Sequence, residues 1–466
     1  MYQRNRPQPQ KSAPGGLREF SDIAFPLVVS NGSMTLMYFV DRLFLSWAGP
    51  APIAASVPSG ILALTLMSFF IGVSEYTNTF VAQLYGAERY RSIGLVVWQG
   101  IFFSLFAGLV SLFLLPLGNY LFDRSGHAPD VIALEKTYFT SLYSGAVFYV
   151  LNGALSSFYS GRGKTRIIMV VSIIANGINA VLDYGMIFGV WGFPRMGIRG
   201  AAVATVISMA LMCLFYMIGF LSAENQRIFH TRRSIRIDTT GIKKLIRYGA
   251  PSGMQFFLDI SAITVFVFLI GQLGKAELAA SNIVWAINAL AFYPMLGASV
   301  ATATLVGQYI GRKDLGTAEK STYTALKAVE AYMLFFAVLY YLFPHTLMEW
   351  FHGGSGAVEA PFAGIADLGS RILLFVAIYQ ISDAMTITFS GALRGAGDTA
   401  FAMWTGVICS WLLFVPGTWI ALNRLGWGIM GAWLWATIYT TVMGVVYMLR
   451  FRSGYWKRIR LIDDDG

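Results

Sequence analysis

Apolar residues along this 466-residue chain fall into long runs separated by short polar breaks, not into the alternating or one-sided stripes of a soluble domain. A helix rises 1.5 Å per residue, so about twenty apolar residues in succession cross the roughly 30 Å hydrocarbon layer of a bilayer. By that measure the chain predicts helices at 20–46, 55–84, 93–121, 130–159, 166–190 and 198–222, then at 242–271, 277–308, 321–344, 362–393, 400–422 and 428–450. The expectation is an all-α polytopic membrane protein of twelve transmembrane helices in two sets of six. Its organisation reads as a polar tail (1–19), an N-lobe (20–222), a solvated linker (223–241) carrying Arg227, Arg232, Arg233 and Arg236, a C-lobe (242–450) and a closing tail (451–466).

The two sets are copies. Sliding the sequence on itself by 225 residues lays Pro26 on Pro251, Ala54-Ala55-Ser56 on Ala279-Ala280-Ser281, Gln83 on Gln308 and Gly86 on Gly311. Later the register drifts, with Ser160 to Thr165 resembling Leu393 to Thr399, and Gly197-Ile198-Arg199-Gly200-Ala201 matching Gly428-Ile429-Met430-Gly431-Ala432. Six spans is an even number, so both copies enter the membrane in the same direction. Parallel repeats of this kind place a site between two lobes that rock against each other.

Composition agrees with the pattern and charge orients it. Hydrophobic residues make up 56% of the chain and charged residues 12%, outside the range of ordinary soluble domains. The first nineteen residues carry Arg4, Arg6, Lys11 and Arg18 and no apolar core, so they do not read as a secretory signal. With both termini cytoplasmic, the inner segments hold about 25 Lys and Arg and the outer loops about 7, as the positive-inside rule requires. The expected location is a bacterial or archaeal-type inner membrane. The net charge of +10 is spread over these loops and gives no patch for nucleic acid. Cys213 and Cys409 lie in apolar runs and read as buried small hydrophobes, with no thiolate metal site and no cofactor implied. His127, His230, His345 and His352 sit in loops or at span ends, and no nucleophile–base constellation stands out, so an enzyme is not expected.

Candidate chemistry rests on acidic residues inside the spans, each of which needs a partner or a water-filled cavity. Counted from the span ends, Asp41, Asp183 and Thr205 share one level, roughly 8–11 Å from the outer boundary. Asn176, Asn179 and Asp183 recur at i, i+3 and i+7 and give the fifth span one polar face. Two carboxylates with an amide and a hydroxyl suit a hard cation such as sodium, and two desolvated carboxylates close together equally suit a proton. A purely structural reading, in which Asn179 and Asp183 bond neighbouring helices, competes with both. In the C-lobe, Asp259 and Asp383 lie at depths nearly 10 Å apart by the same count, and three roles stay open for them: a second coupling site, a counter-ion for a cationic substrate, or a structural polar pair. Glu75, whose repeat counterpart is Val300, lines the inner cavity or pairs with a loop arginine. Pro26 and Pro251 stand inside the first span of each lobe, ahead of an acid on the same helix, and are candidate gating kinks.

Several stretches then resemble one family: Pro26 to Asp41 with Met37-Tyr38-Phe39-Val40-Asp41, Val81-Ala82-Gln83-Leu84-Tyr85-Gly86-Ala87, Asn179 to Asp183, Gly200 to Thr205, Gly249-Ala250-Pro251, and Gly391 to Thr399. In this order, over nearly the whole chain, they resemble the MATE (multidrug and toxic compound extrusion) transporters. The resemblance implies a V-shaped fold of two six-helix lobes and export of cationic or amphipathic organic compounds by a monomer, in exchange for inward Na+ or H+. It further implies that Asp41, Asn179, Asp183 and Thr205 are the N-lobe ion site, the ligands of Na+ in a sodium-coupled protein. Asn152 is then a further cavity residue, and Asp259 and Asp383 match acidic positions of the C-lobe. Arg42 departs from the family pattern, in which an uncharged residue commonly follows the aspartate. Turned outward it snorkels to the interface; turned inward it favours an ionised Asp41 and sodium over protons. A lipid-linked saccharide flippase is the alternative, but it calls for a cationic cavity, whereas the deep charges here are mostly acidic. A major-facilitator transporter also has six plus six helices, yet its basic loop signature does not match Gly86-Ala87-Glu88-Arg89-Tyr90-Arg91.

Overall fold

The computed structural model describes residues 13–351 and 359–462; residues 1–12 and 463–466 of the two tails, and the segment with His352, lie outside it. Its helices are α1 (Leu17–Ala48), α2 (Pro50–Gly86), α3 (Tyr90–Asp123), α4 in two pieces (Pro129–Tyr143 and Ala146–Ser160), α5 (Thr165–Phe188) and α6 (Ile198–Phe220) in the N-lobe. The C-lobe has α7 (Thr239–Gly271), α8 (Lys275–Gly311), α9 (Leu315–Leu342), α10 (Glu359–Ala396), α11 (Thr399–Asn423) and α12 (Gly428–Arg452). Eleven of the described helices are long and apolar enough to cross a membrane. The twelfth crossing is α4, whose two pieces of 15 residues are each too short alone. It breaks at Ser144-Gly145, where a Cβ on Gly145 would stand 2.4 Å from a methyl of Val206, so the close packing on α6 takes the place of a side chain.

Prolines are common inside these helices. Besides Pro26 in α1 and Pro251 in α7, Pro58, Pro116 and Pro294 lie within α2, α3 and α8. Helix α11 departs furthest from regular geometry, with one stretch of wide π-type turns at Ile408–Phe414. Pro416 follows it and has no N–H to give to the carbonyl four residues back, one cause of the widening.

The segment between the lobes contains local structure while most of its residues stay exposed or half-buried. Ala223–Phe229 is a short helix capped by Ser222, and Phe229 is buried. The Arg162 guanidinium lies 3.6 Å over the Phe158 ring and 4.6 Å from the Phe229 centroid, and it donates to the Phe158 carbonyl at 2.7 Å and to Asn225 at 3.2 Å. Burial pushes its pKa down to about 10.

The lobes meet at the end of the bundle that carries both termini, and they meet as a pseudo-twofold pair. Gln83 Nε2 donates to the Gly395 carbonyl at 3.0 Å, and its repeat counterpart Gln308 donates to the Gly161 carbonyl at 2.8 Å. A Cβ on Gly86 would stand 1.9 Å from the Gln308 carbonyl oxygen, and one on Gly311 2.1 Å from that of Gln83. Farther along the helices, Gly72 packs on Gly253 while its counterpart Gly297 packs on Leu27 and Val28. Asn78 donates to Thr304 at 3.2 Å, and Tyr309 donates to Glu19 at 2.7 Å. Every described side-chain hydrogen bond between the lobes falls in this half.

Candidate functional site

Helices α1 and α5 run side by side in the same direction, and polar residues join them along one seam. Ser30 donates to Ser172 at 2.7 Å, and Asn176 Nδ2 donates to Ser33 at 2.8 Å. Two turns farther on the seam reaches Asp41 and Asp183. With the Asn179 amide nitrogen turned toward the carboxylates, the orientation that satisfies both, it donates to Asp41 Oδ1 at 3.0 Å and to Asp183 Oδ2 at 3.1 Å. The two carboxyl groups also lie within hydrogen-bonding reach of each other. Asp41, Asn179 and Asp183 are all buried, and Asp183 Oδ1 and Asn176 Oδ1 have no partner among the described residues.

This arrangement is rich in acceptors and short of protons. Two carboxylates so close repel unless a proton or a cation sits between them. A single shared proton satisfies the pair with the amide nitrogen turned toward it. Rotated by half a turn, Asn179 presents its oxygen instead, and the same residues become an all-oxygen set for a hard cation.

The other residues singled out in the sequence are placed less uniformly. Thr205 is buried on α6, and its hydroxyl donates to the Ala201 carbonyl at 2.9 Å, so only its lone pairs are free for a ligand. Asn152 turns its amide toward the sulfurs of Met209 and Met212, at 3.8 and 3.7 Å, and makes no described hydrogen bond to the acidic pair. Three tyrosines surround the pair within reach of its charge: Tyr38, Tyr138 and Tyr149. Sequence reading passed over them, although Tyr38 stands one turn before Asp41 and so shares its side of the helix.

In the C-lobe, Ser410 in the widened turn of α11 donates to Asp259 Oδ1 at 3.1 Å and lies 3.2 Å from the Tyr439 hydroxyl. Gln255, one turn before Asp259, donates to Tyr447 at 3.1 Å, and Tyr447 donates to the Ala402 carbonyl at 2.9 Å. Asp383 has no described hydrogen-bond partner and lies near Tyr379, so no described contact joins the two C-lobe acids. Glu75 is exposed at the middle of α2, where it faces the space between the lobes and feels the charge of Arg394 on α10. Arg394 is itself held by Ser299 at 2.9 Å.

Comparison with known proteins agrees with this architecture. The family model MatE matches residues 26–185 and again 251–420, one match per lobe. A probable multidrug resistance protein NorM of Thermotoga maritima is 27% identical over 461 residues, covering 97% of this chain and 95% of that protein. Its namesake in Pseudomonas putida is 26% identical over 458 residues, covering 97% and 96%. Among solved structures, a multidrug resistance MATE transporter in its outward-facing conformation superposes with a TM-score of 0.85 at 21% identity, over 96% of this chain and 98% of that one. A MOP superfamily transporter of Pyrococcus furiosus, described as having a binding pocket of reversed polarity, superposes at 0.86 with 21% identity and the same coverage. With the family match over both lobes, the chain belongs to the MATE family and is a multi-pass membrane transporter.

Proposed function

We propose that the protein is a secondary antiporter that exports amphipathic organic cations in exchange for inward Na+ or H+. The observation that carries this reading is the buried pair Asp41 and Asp183, bridged by Asn179, with Asp183 Oδ1 left without a partner among the described residues. Such a site gains a proton or a cation at little structural cost and loses it when the surroundings change, which is what a coupling ion requires. Substrate occupies the space between the lobes, where Glu75, Asp259 and Asp383 supply negative charge. The proteins named NorM above, all of similar length, support export of drugs as the direction of transport. With both termini cytoplasmic, as the loop charges favour, the lobes are closed inward and open outward.

Dye efflux from proteoliposomes under separately imposed sodium and proton gradients tests the reading. Wild type is expected to export under at least one gradient, and Asp41→Asn and Asp183→Asn each to lower the initial rate about tenfold or more, since one member of the pair can no longer ionise. Efflux that ignores both gradients, or an unaltered rate in Asp41→Asn, would sink the coupling assignment.

A further inference from the structure

The segment that joins the lobes carries charge that the transport reading leaves without a task. Residues 223–247 hold seven Lys and Arg against two acids, Glu224 and Asp238. Asp238 is engaged as the cap of α7, where its carboxylate accepts from the Thr240 N–H at 3.1 Å. Arg227, Arg233, Arg236 and Lys243 are exposed, and among the described residues their side chains make no ion pair and no hydrogen bond. Two isoleucines stand in the same stretch: Ile235 and Ile237 are 54% and 67% exposed.

The backbone of this stretch is tied to the side of α3. A Cβ on Gly94 would stand 2.5 Å from the Phe229 carbonyl oxygen, so the chain lies directly on that helix. Trp98 Nε1 then donates to the Thr231 carbonyl at 2.6 Å. Gln99 Nε2 donates to the Arg236 carbonyl at 3.0 Å, and its Oε1 accepts from the Asp238 N–H at 2.9 Å. Gly94, Trp98 and Gln99 all belong to the apolar run 93–121, with Gln99 about 9 Å beyond its start. Farther along α3, Leu105, Phe106 and Leu109 are exposed, as residues that face lipid are. Residues 232–237 thus form an arch whose two feet are pinned at the rim of the hydrocarbon layer and whose exposed side chains are arginine and isoleucine. At a bilayer surface, apolar side chains enter the boundary between headgroups and acyl chains, and the arginines beside them meet phosphate.

We propose that this arch binds an anionic phospholipid, with Ile235 and Ile237 entering the acyl boundary and Arg233 and Arg236 holding the headgroup phosphate. A soluble anion would use the arginines and leave the isoleucines in water; a lipid uses both. A lipid held there moors the connection between the lobes to the membrane surface. The assignment is independent of what the protein transports and of the ion that drives it.

Ser234→Cys, labelled with a polarity-sensitive fluorophore, reports on the arch, since Cys213 and Cys409 are buried. The full chain is reconstituted in phosphatidylcholine vesicles with rising fractions of phosphatidylglycerol. Emission is expected to move to shorter wavelength and to saturate. The fraction of phosphatidylglycerol at half-maximum should rise about fivefold in Arg233→Gln and further in Arg233→Gln with Arg236→Gln. With Ile235→Ser and Ile237→Ser together, the emission maximum should stay near its phosphatidylcholine value. Arg124→Gln, at the other end of α3, should leave the titration unchanged. Each variant is compared with itself across the lipid mixtures, so a lower yield of folded protein does not move the half-maximal fraction. Emission that ignores phosphatidylglycerol overturns the proposal, as does a response that either double variant leaves intact. So does an equal shift when inorganic phosphate or an RNA oligomer is added to phosphatidylcholine vesicles, which would make the arch a site for a soluble anion.

Discussion

The two lobes descend from one repeat, yet they treat the outer half of their first helix in opposite ways. Fifteen residues beyond Pro26 stands Asp41; fifteen beyond Pro251 stands Phe266. Asp41 belongs to a carboxylate pair bridged by an amide. Phe266 is fully buried in an aromatic cluster, stacked on Phe414 with centroids 4.9 Å apart and edge-on to Trp433 at 5.7 Å. The acid of the C-lobe, Asp259, has Met34 as its counterpart, about two turns nearer the terminal end. At that terminal end the lobes agree almost residue for residue, through Gln83 with Gln308 and Gly86 with Gly311. The contrast teaches a division of labour. The shared half makes the contact between the lobes, and the divergent half gives only one of them a buried carboxylate pair at that depth.

The strongest way to break the contrast is to make the lobes alike. Phe266→Asp puts an unpaired carboxylate among Phe414, Trp285 and Trp433, where no described donor waits except indole N–H groups that lack partners of their own. A loss of about 3–5 kcal/mol is expected, read as a lowered melting temperature of the detergent-purified chain or failure to recover folded protein. A variant as stable as wild type would mean that the C-lobe keeps space for an acid there and that the difference between lobes is incidental.

Next in size are the glycines of the shared half. Gly86→Ala and Gly311→Ala each drive a methyl carbon into a backbone carbonyl of the other lobe, which cannot rotate away. Both are expected to displace the lobes at the terminal end and cut the population of the closed arrangement about tenfold or more, seen as a longer distance between spin labels placed one on each lobe. Gly32→Ala on α1, where nothing lies within 4 Å of the new carbon, should leave that distance unchanged. Unequal effects of Gly86→Ala and Gly311→Ala would show that the pseudo-twofold contact is closed by one lobe alone. The hydrogen bonds beside them are worth less. Gln83→Ala and Gln308→Ala remove one donor each from a buried carbonyl, about 1 kcal/mol, and should shift the same label distance by similar, smaller amounts.

How much of this was legible beforehand follows from what a sequence encodes along a helix and around it. Apolar run length located all twelve crossings, and a fixed offset exposed the repeat, because both depend only on position along the chain. The polar face of Asn176, Asn179 and Asp183 was visible as a helical period. What stayed hidden depends on rotation and on packing between helices. The break at Ser144-Gly145 answers to Val206 on another helix, and the ordering of 223–229 answers to Arg162. The direction of Arg42 stays open to sequence because one residue beyond Asp41 points either to lipid or to the cleft. Asn152, expected only as a further cavity residue, turns to methionine sulfurs for a reason of the same kind.

The finest test of the contrast concerns Ser410. The N-lobe acid receives its donor from a side chain in a regular helix, whereas Asp259 receives one from a hydroxyl that the wide turn of α11 brings round to it. Had α11 been regular at that point, every side chain beyond the turn would be rotated, and Ser410 and the Trp411 indole, which donates to the Leu258 carbonyl at 3.3 Å, would not both face α7. Ser410→Ala keeps the turn and removes only the donor. It should weaken binding of a cationic dye little, or tighten it slightly, because Asp259 is then freer to accept from the cargo, while thermal stability falls by about 1 kcal/mol. A large loss of binding with unchanged stability would instead make Ser410 a direct ligand of the cargo, and the C-lobe would then hold a composed site comparable to the acidic pair of the N-lobe.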